Sequence, residues 1–229
     1  MIVLFNHIPK TGGNSFAQAI NQRFDVLYDY VPNGSSESFA KWREQPIDAS
    51  RFQDPMLLVG HFTGPGCRPH ERYPDLVHRT NVRLVTVLRN PTELALSHYF
   101  YRLRLGEYQK SDFRRALFDM VGIYAHTFSI EHDGSDLAAA LKSYSFVGIT
   151  EHMGLSLEMM ARDLGIAPPQ GPVPFENASA RIEYPSAWQS TVHEFDEAAR
   201  LDHLIYRQAC ENLLASSNGT VTAARAGNR

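Results

Sequence analysis

The chain has 229 residues, 43% of them apolar and 21% charged, which supports one packed core of ordinary globular size and excludes disorder over most of its length. With 22 basic and 25 acidic residues the formal charge is −3, so no overall field draws the molecule to nucleic acid or an anionic membrane, and any anion site must be local. Two cysteines, Cys67 and Cys210, are too few for a disulfide framework or a thiolate metal site and read as free thiols of a reducing compartment.

The run Met1-Ile2-Val3-Leu4-Phe5 lacks the basic lead and small-residue cleavage site of a secretory signal and reads as a buried strand, Ile2 to Asn6. Further strands are expected over 26–30, 56–59, 83–88 and 146–149. Helices are expected over 14–23, 93–104, 112–121, 135–143, 155–164 and 190–215, where apolar residues return at three- and four-residue spacing. This alternation marks an α/β domain of three layers, a mostly parallel central sheet with helices on both faces. Segments 32–38, 64–74 and 167–174, rich in Pro, Gly and polar residues, read as loops over the sheet edge. One domain is expected over 1–215, with a polar tail, 216–229, that frays.

No apolar run approaches the ~20 residues of a membrane helix, so a soluble cytoplasmic protein without a membrane partner is expected. Nucleic acid is set aside as well, because the aromatics lack the basic interleaving of a stacking platform. The sequons at Asn177 and Asn218 have no secretory signal beside them. His126, His132 and Asp133 match no zinc spacing and read as a polar loop, so no metal is expected.

The strongest local signal is His7-Ile8-Pro9-Lys10-Thr11-Gly12-Gly13-Asn14-Ser15-Phe16, between a buried strand and an amphipathic helix. Glycines let the backbone approach an anion, the helix N-terminus adds positive potential, and Lys10 supplies a mobile charge. Asn14 and Ser15 can cap the helix or donate to the same oxygens. Relative to the nucleotide triphosphate loop the order is inverted, since Lys10 precedes the glycine pair. A kinase would also need an acidic residue after a neighbouring strand to hold magnesium. The strand 83–88 ends instead in Arg89-Asn90-Pro91, and Ser97 follows eight residues after Arg89, which suggests a second phosphate site. Glu151, after a late strand, keeps a nucleotide-dependent kinase as the alternative.

The loop resembles the 5′-phosphosulfate loop of sulfotransferases, in particular the group containing the heparan sulfate 2-O- and 6-O-sulfotransferases and their bacterial relatives. Leu88-Arg89-Asn90-Pro91, with Leu94, Ser97, Tyr99 and Phe100, resembles that family's 3′-phosphate segment. Phe146 to His152 resembles its late strand and helix, and Asn177-Ala178-Ser179 before Tyr184 its cofactor-covering loop. The resemblance implies a P-loop NTPase-like sulfotransferase fold and the donor 3′-phosphoadenosine 5′-phosphosulfate (PAPS), leaving 3′,5′-ADP as product. By motif position Lys10, Thr11, Gly12, Gly13, Asn14 and Ser15 hold the phosphosulfate, and Arg89 and Ser97 the 3′-phosphate.

Gly60-His61-Phe62 follows a strand, which puts His61 on the same sheet edge as Lys10, and it resembles the segment that carries the family's catalytic histidine. Sulfuryl transfer to a hydroxyl needs a proton acceptor, a role suited to imidazole. Catalysis is therefore expected from His61 as base and Lys10 at the leaving phosphate, with His7, His70 and His98 as rivals for the base. His7 fits better as a loop-shaping residue. The resemblance implies a hydroxyl acceptor, on a carbohydrate or a small metabolite. Arg68, His70, Arg72, His78, Arg79 and Arg83, and again Arg102, Arg104, Arg114 and Arg115, either line a groove for an acidic sugar or form a solvated charged face.

Overall fold

Five strands form one sheet: β1 (Ile2–Asn6), β2 (Asp25–Asp29), β3 (Met56–Gly60), β4 (Val82–Leu88) and β5 (Phe146–Ile149). They lie in the order β2-β3-β1-β4-β5 and every pairing is parallel. The computed structural model describes residues 1–31, 36–64, 66–130, 134–169, 184 and 188–226. The helices are α1 (Gly13–Ile20), α2 (Ser36–Glu44), α3 (Pro69–Arg72), α4 (Pro74–Val77), α5 (Pro91–Arg104), α6 (Phe113–Phe118), α7 (Ile123–Phe128), α8 (Leu137–Lys142), α9 (Met153–Asp163), α10 (Trp188–Ala198) and α11 (Arg200–Ala226).

The two-residue period of the pleat sorts the strand side chains into two layers. Val3, Phe5, Leu57, Val59, Val85 and Val87 pack with Phe16, Ala17 and Ile20 of α1 and with Leu157 and Met160 of α9. Ile2, Leu4, Met56 and Leu58 point the other way, onto Trp42, Phe62 and Tyr73. A third cluster joins Leu88 and Ile149 to α5–α8, α10 and α11. All five residues of β1 and of β3 are buried, which is why those strands read as unbroken apolar runs. The expected three-layer α/β sheet with helices on both faces is therefore present. In register, Asn6 of β1 lies opposite Gly60 of β3 and Thr86 of β4, so all the carboxyl ends emerge along one edge.

Several expectations change. The loop expected over 64–74 contains α3 and runs into α4, because Pro69 and Pro74 each sit at a helix start, where the missing N–H costs nothing. α2 begins at Ser36, inside the loop expected over 32–38. The helix expected over 190–215 is two helices, α10 and α11, with Ala199 between them, and α11 runs on to Ala226. Helix α7 was not expected at all. Its N-terminus is capped from a distance: the buried Asp202 of α11 accepts the N–H groups of Gly122, Tyr124 and Ala125 at 2.6, 3.0 and 3.1 Å. Asn177, Ser179, His132, Asp133 and the part of the 167–174 loop from 170 onward lie outside the described residues.

Candidate active site

The site begins where β1 ends. The buried Asn6 carboxamide accepts the Phe62 N–H at 3.1 Å and donates to the Tyr144 hydroxyl at 2.8 Å, while the Asn6 carbonyl accepts the Thr86 hydroxyl at 2.8 Å. One side chain and its own backbone thus pin the ends of β1, β3 and β4 together. Past it the chain turns sharply: Lys10 has φ 69° and Gly12 φ 78°, both left-handed, a conformation a lysine adopts only when its surroundings impose it. Four contacts impose it here. The Thr11 hydroxyl donates to the Ile8 carbonyl at 2.8 Å, the Arg89 guanidinium to the Lys10 carbonyl at 3.2 Å, and the Thr150 hydroxyl lies 2.6 and 2.9 Å from the carbonyls of Thr11 and Leu88.

Helix α1 has no side-chain cap and no acid in its first turn, and its first ladder bond runs from the Phe16 N–H to the Gly12 carbonyl. The N–H groups of Gly13 and Asn14 precede that bond and add to the positive end of the helix, an arrangement that suits an anion. Gly13 has a steric reason as well: a Cβ there would lie 2.0 Å from Cδ2 of His7. Thr11 and Ser15 are buried and Asn14 is exposed.

Cations gather at the loop. The Lys10 ammonium sits 4.3 Å from the centre of the Tyr101 ring, which Arg104 approaches to 5.6 Å. Burial, then Arg104 and Arg89, push the Lys10 pKa below its ordinary value. Arg89 follows β4, where the Tyr124 hydroxyl bonds both its N–H (2.9 Å) and its carbonyl (2.5 Å). Asn90 then caps α5 by accepting the N–H groups of Thr92 and Glu93. The structure therefore brings Arg89 to the Lys10 loop. Ser97, buried in the second turn of α5, makes no hydrogen bond to Arg89 or to the loop among the described residues.

His61, one residue beyond β3, packs against two other rings. Its centroid is 5.0 Å from His7 and 4.6 Å from Tyr30, and the Tyr30 hydroxyl lies 2.8 Å from His7 Nδ1. Burial lowers the pKa of His61 to about 4. Burial, then the charges of His61 and Lys10, lowers that of His7 to about 3. Both rings are neutral at pH 7, so each keeps a lone pair. His7, three residues before Lys10, is thus in ring contact with His61. Tyr30, Tyr101 and Thr150 escaped the sequence reading; the signal available was their position just past a strand end or on the helix that follows one.

Among the rivals, His70 is exposed on α3. His98 on α5 is lowered to about 4 by burial, Arg102 and Lys10, and its buried Nδ1 has no hydrogen-bond partner among the described residues. Half of the ten residues in the two basic groups are matched by acids: Arg68 with Glu71 (2.5 Å), Arg72 with Asp29 (2.6 Å), Arg102 with Glu107, Arg114 with Glu194 (3.0 Å) and Arg115 with Asp112 (3.0 Å). Glu151 accepts the Asn90 N–H and the Tyr206 hydroxyl, both at 2.9 Å, so each of its oxygens is engaged. Among the described residues no group of three or more His, Cys, Asp or Glu side chains is arranged to hold a metal ion, and no helix is long and apolar enough to cross a membrane.

No family model and no curated protein matches the sequence. Among solved structures the chain is similar to a sulfotransferase from Alicyclobacillus acidocaldarius at 14% identity and a TM-score of 0.46, over 89% of this chain and 95% of that one. It is also similar to mouse sulfotransferase SULT7A1 complexed with PAP, at 14% identity and a TM-score of 0.43, over 86% of this chain and 65% of the mouse chain.

Proposed function

We propose that this chain is a sulfotransferase of the kind its loop motif resembles, moving the sulfuryl group of PAPS to an acceptor hydroxyl on a carbohydrate or small metabolite in the cytoplasm. The observation that carries this reading is the meeting of three strand ends. The uncapped α1 start with Lys10, the Arg89 guanidinium on the Lys10 carbonyl, and neutral His61 all lie on one sheet edge. A donor phosphorylated at both the 5′ and 3′ positions needs cations and N–H groups, which Lys10 with the start of α1 would supply at one position and Arg89, 3.5 Å from Glu93, at the other. Ser97 is assigned to the 3′-phosphate by motif alone.

In this reading His61 accepts the proton of the acceptor hydroxyl as the new S–O bond forms. Lys10 and the α1 N–H groups stabilise the charge left on the 5′-phosphate oxygen as the old bond breaks. Backbone and side-chain charges that are already in place need no reorganisation at the moment of transfer. Glu151, the residue that favoured a magnesium-dependent kinase, has both carboxylate oxygens engaged, and nothing else in the site favours that alternative.

The test is turnover. The protein is incubated with PAPS and a panel of phenolic, sugar and polyol acceptors, and 3′,5′-ADP is followed by mass spectrometry. Acceptor-dependent release supports the reading. Phosphorylation of the same panel from ATP and magnesium, with PAPS left intact, would replace it with the kinase.

A further inference from the structure

Tyr30, one residue past β2, is the part of this site that neither the loop motif nor the base assignment uses. Its hydroxyl lies 2.8 Å from His7 Nδ1 and its ring stands edge-on to His61. His7 in turn lays its Cδ2–Nε2 edge against the first residue of α1, where a Cβ on Gly13 would sit 2.5 Å from Nε2. A neutral imidazole carries one N–H, and the hydrogen bond made at one nitrogen decides where that proton resides. Burial raises the Tyr30 pKa, so the residue stays a phenol with a proton to give. Among the described residues, His7 Nδ1 is the one hydrogen-bond partner of that hydroxyl.

We propose that Tyr30 is a positioning residue that donates to His7 Nδ1 and so holds His7 as its Nε2–H tautomer, which makes His7 a hydrogen-bond donor to the phosphosulfate at the start of α1 while His61 serves as proton acceptor. The identity of that anion rests on the sulfotransferase reading; the tautomer does not. A lone pair on Nε2 facing an anionic oxygen would repel it, whereas an N–H there adds one more fixed donor. Two imidazoles in ring contact thereby take different roles: His7 gives a hydrogen bond and His61 takes a proton.

The tautomer is read directly from the protein labelled with ¹⁵N-histidine, by long-range proton–nitrogen correlation at pH 7.5, with the His7 signals identified by their loss in His7→Gln. The expected pattern is a pyridine-type Nδ1 and a pyrrole-type Nε2; the reverse pattern overturns the proposal. Tyr30→Phe should repartition the two His7 tautomers and lower kcat/KM for PAPS about 5- to 10-fold, the loss expected for one hydrogen bond. A glutamine places its amide nitrogen near the Nε2 position and an asparagine near Nδ1. His7→Gln should therefore keep more activity than His7→Asn, and the opposite order overturns the proposal. If neither variant folds, the wild-type spectrum still decides. The Nδ1–H tautomer in a protein that binds 3′,5′-ADP would sink this proposal alone. The Nε2–H tautomer in a protein indifferent to 3′,5′-ADP would sink the sulfotransferase reading and leave the Tyr30–His7 assignment standing.

Discussion

At the scale of single residues, the site divides its work between groups whose removal should be felt in different measurements. His61 is neutral because burial disfavours its charged form, and in the proposed reaction it takes the acceptor's proton. His61→Ala should lower kcat roughly 10²-fold, as for loss of a general base, while 3′,5′-ADP affinity stays nearly constant. An equal loss of both would assign His61 to donor binding instead. Arg89 touches the loop through the Lys10 carbonyl, and in the proposed donor site it would hold the 3′-phosphate, which does not react. Arg89→Ala should weaken 3′,5′-ADP at least 10-fold by titration calorimetry, and unchanged affinity would remove Arg89 from the donor site. The placement of Lys10, the glycines, Arg89 and His61 along one sheet edge was legible in the sequence because it follows from local order, strand then loop then helix. Tyr30 and Tyr101 were not, because they reach His7 and Lys10 only through strand pairing and helix packing between distant parts of the chain.

At the scale of elements, the carboxyl end of β2 is fixed by a saturated carboxylate. Asp29 accepts from Trp42 Nε1, from Arg72 Nε and Nη2, and from the Tyr73 hydroxyl, at 2.6, 2.6, 2.9 and 2.6 Å. The Arg72 guanidinium also lies 3.8 Å from the centre of the Trp42 ring, and both members of the ion pair are almost wholly buried. This network ties α2, α3 and Tyr73, the residue between α3 and α4, to the residue just before Tyr30. Arg72→Met leaves Asp29 charged, buried and without its ionic partner, and should cost about 3–5 kcal/mol in urea unfolding. A loss under 1 kcal/mol would show that the pair is replaceable. The strands were legible because burial on both faces makes them unbroken apolar runs, and β1 and β5 keep their expected limits. Helices α3 and α4 were hidden by prolines that start helices rather than break them. Helix α7 was hidden because its cap, Asp202, lies about eighty residues further along the chain.

At the scale of the whole molecule, the buried imidazoles set how stability responds to acid. His7, His61 and His98 have pKa values near 3, 4 and 4, all below the ordinary 6.5. Between about pH 4 and 6.5 the unfolded chain binds more protons than the folded one, so this contribution is fully present above 6.5 and is lost as the pH falls. Each of these histidines should remove on the order of 2 kcal/mol by pH 5. Burial raises the carboxyls of Asp163 and Asp202, which act with the opposite sign and offset part of the loss. Urea unfolding at pH 7.5, 6.5 and 5.5 should give steadily falling stability, and a flat profile would mean these rings are more hydrated than their packing indicates. The α/β layering was legible from the alternation of apolar runs and amphipathic stretches. The strand order was not, since nothing local in the sequence places β3 between β1 and β2.

If one sheet edge holds two phosphates with protein cations, a thermal melt with 3′,5′-ADP and no added metal, run beside ATP with magnesium, will show it. At about a hundred times its dissociation constant, a ligand that binds only the folded state adds roughly 2.7 kcal/mol, a shift that is easily seen. The expected result is stabilisation by 3′,5′-ADP alone that is lost in Arg89→Ala. Stabilisation by ATP with magnesium and none by 3′,5′-ADP would contradict it.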